Sequence, residues 1–241
     1  MKLYLSIFFL LTQLASAQLR HDTKQVIIGI TNGDNSSHVT LSMFEKKGNQ
    51  WVQVDKAWKG RIGRKGLAWG LGIHPAQKGL TKKEGDGRAP AGIFNIGGAY
   101  GYATTIKKNK LLPYRKITTK DLWVEDSKSP YYNLHIILKN QPSTPWQLKA
   151  QMRQNDYAHS LKLFISHNAA SKAKPAKPYA GSSIFFHIWR GGGSKPTAGC
   201  TTMAPDKLKR MISLIDPKKK PAYVLLTSED YKKYRSAWKL P

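Results

Sequence analysis

The chain has 241 residues, with 40 Lys and Arg against 14 Asp and Glu, a formal charge of +26 and a pI near 10.1. A hydrophobic share of 40%, with seven Trp, eleven Tyr and seven Phe, excludes a largely disordered polyelectrolyte. A single Cys excludes an intrachain disulfide framework and any multi-thiolate metal or iron–sulfur site, and the length fits one domain with its own core.

Taken in chain order, the first seventeen residues read as an export signal. Lys2 supplies a short positive region, Leu3 to Leu14 is mostly apolar, and Ala15-Ser16-Ala17 is a small-residue cleavage site. No later stretch reaches the roughly 20 apolar residues of a bilayer span. The expectation is a mature domain over 18–241, exported to the periplasm or cell envelope, with no stable membrane span after cleavage. Gln25 to Thr31, Val39 to Glu45 and Trp51 to Ala57 read as strands of a meander, separated by the turn signals Asn32-Gly33-Asp34-Asn35 and Lys47-Gly48-Asn49. Arg61 to Gly72 is punctuated by glycine, with Leu67, Trp69 and Leu71 alternating. A charged loop follows from Lys82 to Arg88, then a short apolar strand from Ala91 to Gly97.

Residues 103–130 read as irregular and basic. Leu134 to Leu138, Leu161 to Ser166 and Ile184 to Trp189 read as buried strands, and Ala169 to Pro178 as a Lys/Ala/Pro surface loop. The clearest helix runs from Pro205 to Ile215. Pro205 suits its first position, Asp206 its first turn, and Leu208, Met211, Ile212 and Ile215 share one face. Pro217 stops it. Ala222 to Thr227 is the last strand, and Ser228-Glu229-Asp230 opens a short terminal helix. The fold class is mainly β with short helices.

Cys200 stands in the polar, glycine-rich turn from Arg190 to Thr202, where a thiol lies near the surface and near the cations Arg190 and Lys195. An unpaired Cys in an exported chain points to a reactive thiol rather than a packing residue. A nucleophilic thiol needs a base and an oxyanion site. His187 ends the apolar run Ile184-Phe185-Phe186 thirteen residues upstream, and the intervening Gly191-Gly192-Gly193 turn can bring the two side chains together. Gly199 allows backbone amides to approach a carbonyl closely.

These residues resemble the L,D-transpeptidase family of the YkuD type, in which a His precedes a [Ser/Thr]-x-Gly-Cys turn; here that is His187 and Thr197-x-Gly199-Cys200. Glu84 to Phe94, Ser129 to Asn133, Ser166-His167-Asn168 and Phe186 to Arg190 extend the resemblance over most of the mature chain, toward a subgroup with Pro-Thr-Ala-Gly-Cys at the nucleophile. The resemblance implies a mixed-strand β-sandwich. It also implies a Cys that attacks the L,D bond of a peptidoglycan stem tetrapeptide, forms a thioester, and passes the acyl group to a second stem, giving a 3→3 cross-link. Water in place of that amine gives L,D-carboxypeptidase action. Carried over, Cys200 is the nucleophile, His187 the base and proton donor, and the backbone N–H groups of Gly199 and Cys200 the oxyanion hole. Ile188 after His187, Ala198 before Gly199 and Thr202 two residues past Cys200 depart from the family pattern. The last of these removes the usual contact to the substrate carboxylate, for which Arg190 or Arg88 is the expected replacement; Trp189, Thr197 and Thr202 complete the candidate substrate contacts.

No cofactor and no metal are expected. Histidines 21, 38, 74, 135 and 159 show no paired ligand spacing, and Gly191 to Thr197 lacks the spacing of a phosphate-binding loop. The positive charge suits anionic wall polymers and stem peptides. Lys107-Lys108-Asn109-Lys110, Lys172 to Lys177 and Lys218-Lys219-Lys220 are scattered and accompany no nucleic-acid-binding motif, so no specific nucleic-acid partner is expected. The expected state is a monomer. The rivals are a hydrolase on the same fold and a noncatalytic basic wall-binding protein.

Overall fold

The computed structural model describes residues 19–171 and 174–241, so the expected signal peptide and part of the Lys172 to Lys177 segment lie outside the described residues. The first strand, β1 (Gln25–Thr31), pairs antiparallel with β2 (His38–Lys47), which turns through Gly48 into β3 (Gln50–Gln53). The expected third strand breaks off at Gln53, and the chain resumes as β4 (Trp58–Arg61), again antiparallel to β2. β5 (Leu67–Trp69) lies parallel to β6 (Ala89–Gly101), which is far longer than its apolar stretch suggests because the glycine-rich half continues the ladder. β6 pairs parallel with β7 (Tyr114–Lys116) and antiparallel with β10 (Leu161–Ile165) and β13 (Ala222–Thr227). β11 (Phe185–Ile188) follows β10, and β12 (Thr201–Met203) joins β11 to β4.

The path β1-β13-β6-β10-β11-β12-β4-β2 returns to β1, so the sheet closes on itself. Two parallel pairs (β1–β13, β11–β12) interrupt runs of antiparallel ones, giving the mixed-strand sandwich expected. Strand side chains alternate sides. Ile27, Leu41, Met43, Phe94, Leu163, Phe186, Met203, Tyr223 and Leu225 face inward as one buried cluster. Each such side chain contributes roughly 1.5–3 kcal/mol by leaving water. The α-helix α2 (Pro205–Leu214) packs Leu208, Met211 and Ile212 into this cluster, with Ile215 as its C-cap. On the outer face, Val26, Ile28, Ile93, Val224 and Leu226 are covered by Trp238 and Leu240, which follow α3 (Ser228–Tyr234).

A second outer patch positions the site. The region read as irregular contains β8 (Asp121–Trp123), which forms a hairpin with β9 (His135–Ile137) inside the expected strand Leu134 to Leu138, and the short helix α1 (Pro145–Lys149) follows. Asp121 organises it. Its carboxylate accepts from Arg115, from the Thr118 backbone N–H at 2.8 Å and from His135 at 2.8 Å. Trp123 from this hairpin packs on Phe185 of β11 with ring centroids 4.8 Å apart, in a cluster with Ile117 and Met152. The hairpin therefore stands over the outer face of β10 and β11 and leaves a cleft at its edge.

Candidate active site

Strand register lines up the chemistry. Lys162 of β10 faces His187 of β11, and His187 faces Thr202 of β12. Neighbours in register point to the same side, so these three side chains form a row on the outer face. Cys200, two residues before Thr202, belongs to that side. Between β11 and β12 the chain reverses through Gly191, Gly192 and Gly193, with φ of 57, 60 and 93°. Only glycine takes three successive left-handed positions without strain. The returning segment is pinned by the Thr197 N–H to Ile62 at 2.9 Å and by Arg64 N–H to the Thr197 carbonyl at 2.8 Å.

Cys200 is half-buried in a cleft of about 260 Å³ lined also by Lys82, Glu84, Glu125, Lys162, Ser183 and His187. Its thiol donates to the Ser183 carbonyl at 3.4 Å, and the Phe185 N–H donates to the sulfur at 3.4 Å. Burial pushes the thiol up to about 11, against the smaller downward pulls of the Phe185 N–H and the Lys162 cation. The sequence reading names Arg190 and Lys195 as the cations favouring thiolate; the cations that act on the sulfur are Lys162 and Lys82, and desolvation in the cleft outweighs them in favour of the neutral thiol.

His187 is 4% exposed, and its Nδ1 lies 2.9 Å from the Ile188 carbonyl. That contact fixes the proton on Nδ1 and leaves Nε2 with a lone pair. Nε2 is not a buried unpartnered atom and has no protein hydrogen bond among the described residues, so it is open to the cleft. Burial first, and His159 second, hold the ring down to about 3. Both partners of the expected dyad are thus neutral at rest, and neither is hydrogen-bonded to the other.

The walls come from the motifs noted in the sequence. Asn133, in the left-handed region at φ 58°, uses all of its amide. Its Nδ2 donates to the His167 and Asn168 carbonyls at 3.0 and 2.8 Å, and its Oδ1 accepts from Trp123 and from the Ser183 backbone at 2.9 and 3.0 Å. It thereby sets the Ser183 carbonyl that receives the thiol. Glu84 accepts from Tyr132 and, at 2.7 Å, from Ser182, tying the charged loop to the same wall. Asp86 accepts from Lys82 at 2.6 Å and from the Lys83 and Arg88 backbone. Tyr131, by contrast, is 55% exposed.

A Cβ at Gly199 would meet the Arg88 carbonyl at 3.0 Å and Ile184 at 3.2 Å, so glycine lets the turn sit tightly on these neighbours. The Gly199 N–H donates to Thr197 Oγ1 at 3.1 Å, while Thr197 Oγ1 donates to the Cys200 carbonyl at 2.7 Å. Of the two backbone donors expected for an oxyanion, Gly199 is therefore engaged, and the Cys200 N–H is without a partner among the described residues.

The candidate substrate contacts divide. Thr202, Thr197 and Arg190 line a second lobe of about 160 Å³ that shares Gln154, His159, His187, Ala198 and Cys200 with the first. Thr202 donates to the Arg61 carbonyl at 3.2 Å, and Arg190 is drawn to Asp156 at 2.7 Å. The Arg88 guanidinium lies elsewhere, donating to Leu67 and Asn35 at 2.9 and 3.1 Å. Trp189 packs against the Gly193 backbone and lines neither lobe.

Sequence reasoning missed Lys162, His159 and Asp156. Lys162 is 4% exposed, donates to the Met152 carbonyl at 2.7 Å, and is lowered by burial to about 8. A lysine inside the apolar run Leu161 to Ile165 was the available signal. Among the described residues no group of three His, Cys, Asp or Glu is arranged to hold a metal ion, and no helix is long and apolar enough to cross a membrane.

The YkuD L,D-transpeptidase catalytic domain matches residues 34–224. Among solved structures the chain is similar to Bd1075 of Bdellovibrio bacteriovorus, at 14% identity over 89% of this chain and 54% of that one, with a TM-score of 0.42. It is also similar to a mutant of the helical cell shape determining protein Pgp2 of Campylobacter jejuni, at 13% identity over 88% and 50% of the two chains, with a TM-score of 0.42. The chain spans about half the length of these structures. No curated protein matches it.

Proposed function

The chain belongs to the L,D-transpeptidase catalytic domain family, and from that premise we propose that it is an exported cysteine acyltransferase acting on peptidoglycan stem peptides. Residues 18–241 are its catalytic unit and residues 1–17 its export signal. The observation that carries the reading is the pairing of the chain's single thiol with a histidine whose Nε2 is unoccupied, both lining one cleft and each held by a backbone carbonyl.

A neutral thiol beside a neutral imidazole calls for general-base catalysis rather than a standing ion pair. As Cys200 attacks the carbonyl of the L,D bond, its proton moves to His187 Nε2. The Ile188 carbonyl holds the resulting imidazolium through Nδ1–H. The oxyanion meets the Cys200 N–H, and the positive Lys162 lies on the same floor. His187 then protonates the leaving D-Ala amine, and the thioester remains. An acceptor amine gives a 3→3 cross-link, and water gives a tripeptide. The cationic surface supports the same substrate class by drawing the enzyme to anionic wall polymers.

Mass spectrometry after incubation with a carbapenem tests the reading. A covalent adduct is expected, and it should vanish in Cys200→Ser. An unmodified wild-type chain, with no product from a stem tetrapeptide and an acceptor stem, would overturn it. Dimeric product identifies a transpeptidase, and tripeptide alone identifies the L,D-carboxypeptidase on the same fold.

A further inference from the structure

The cleft holds a second imidazole that the mechanism above leaves idle. The His159 ring stacks on that of His187, with centroids 4.7 Å apart and planes 24° apart, and it borders both lobes. Its Nδ1 lies 2.8 and 3.0 Å from the two carboxylate oxygens of Asp156, and its backbone N–H donates to the same group at 3.0 Å. Arg190 Nη2 donates to Asp156 at 2.7 Å and lies 3.3 Å from His159 Nδ1, farther than either carboxylate oxygen. A carboxylate at Nδ1 fixes the tautomer and leaves Nε2 as the acceptor. That Nε2 has no protein hydrogen bond among the described residues and is not sealed from solvent.

The geometry points to His159, oriented by Asp156, as a second general base that deprotonates the incoming nucleophile when the thioester is resolved. The inference rests on the acyl-transfer reading above. It assigns the two rings different work because their supports differ. His187 leans on a neutral carbonyl, adequate for a proton passed on within the acylation step. His159 leans on a carboxylate, which stabilises an imidazolium better and for longer. Its position at the waist shared by both lobes lets it reach a nucleophile entering beside the acyl chain.

The step balances without a co-reactant. The acceptor amine donates its lone pair to the thioester carbonyl, forming C–N, while its N–H proton passes to His159 Nε2. The C–S bond breaks with its electron pair on sulfur. The proton then returns from His159 to the thiolate by way of His187 or solvent, restoring the neutral thiol. With water, an O–H proton follows the same route. Burial, and Lys162 next, hold the His159 ring down to about 4 against the pull of Asp156, so the base is free at neutral pH.

His159→Gln and Asp156→Asn separate the two steps. In His159→Gln, carbapenem acylation of Cys200 should stay within about threefold of wild type. Tetrapeptide turnover should fall on the order of 10²-fold, the usual worth of a general base, and the tripeptidyl thioester should accumulate in the intact-mass spectrum. Asp156→Asn should show the same split, about tenfold in turnover. Acylation and turnover falling together would show that His159 merely packs His187, and unchanged turnover would show that it is idle; either overturns the inference. If His159→Gln does not fold, Asp156→Asn decides alone. A wild-type enzyme that neither acylates nor turns over removes the acyl-transfer reading and this one with it, an outcome distinct from both.

Discussion

His167 does not line the cleft and His187 does, yet by burial they are nearly twins. They are 0% and 4% exposed, and burial holds their rings down to about 4 and about 3. What separates them is hydrogen bonding. His167 accepts from the Leu71 N–H at Nδ1, 3.1 Å away, and faces the Ala180 carbonyl with Nε2 at 2.8 Å. Both nitrogens are committed, and the ring is a strut joining three segments. His187 commits Nδ1 only. A depressed pKa marks burial in both; the open lone pair marks the residue equipped for chemistry.

The largest expected effect tests that division. His187→Ala should lower tetrapeptide turnover on the order of 10³-fold or more, as loss of a base that works as a unit with its nucleophile does. Its thermal midpoint should move little, since water can fill the space it leaves in an open cleft. His167→Ala should do the reverse. It strands the Leu71 N–H and the Ala180 carbonyl in the interior, at about 1–3 kcal/mol each, so the midpoint should fall by roughly 10 °C. Calorimetry beside a turnover assay reads both, and equal losses of stability would break the comparison.

Acid sharpens it. The folded-state values of His159, His167 and His187 lie below the ordinary histidine value near 6.5. A depressed pKa contributes stability that is full above 6.5 and lost as pH falls toward 3–4, by up to about 1.4 kcal/mol per histidine per pH unit. Urea midpoints should therefore drop steeply between pH 6.5 and 4, and His167→Gln should flatten that slope. Turnover should nonetheless hold within about twofold from pH 7 to 5.5, because His187 stays neutral. A half-loss of turnover near pH 6.5 would mean that its imidazole is ordinary and solvated.

Much of this architecture is legible in the amino-acid sequence. The apolar runs at Gln25 to Thr31, Leu161 to Ser166, Ile184 to Trp189 and Ala222 to Thr227 are strands, and the helix from Pro205 stands, because burial on one or both faces writes itself as hydrophobicity. β4 and β12 are not legible. Trp-Lys-Gly-Arg and Thr-Thr-Met carry no period, and both exist because their neighbours present open edges. That Cys200 and His187 share one cleft can be read from an odd Cys in a glycine turn after a strand that ends in His. The Asp156–His159 pair cannot, since its meaning depends on a stacking partner 28 positions away in the chain. Nor can the fate of Arg88, whose guanidinium is turned to Leu67 and Asn35 by a loop closure that sequence does not encode locally.

The smallest expected effect concerns Lys162, the neighbour of His187 in strand register. Lys162 is the strongest charge acting on the Cys200 thiol, and it favours thiolate while burial opposes it. Lys162→Met keeps the side chain's volume, so desolvation of the sulfur stays nearly constant and only the charge is removed. The thiol should then titrate higher, leaving less thiolate and slower alkylation at any pH well below its midpoint. Because Cys200 is the chain's single cysteine, the rate of iodoacetamide alkylation from pH 6 to 7.5, where Lys162 keeps its charge, reports this group alone and needs no substrate. Lys162→Arg should keep the wild-type rate within about twofold. Equal alkylation in all three proteins would show that the ammonium is screened from the sulfur and serves only to hold the Met152 carbonyl, making it a strut like His167 rather than part of the chemistry beside His187.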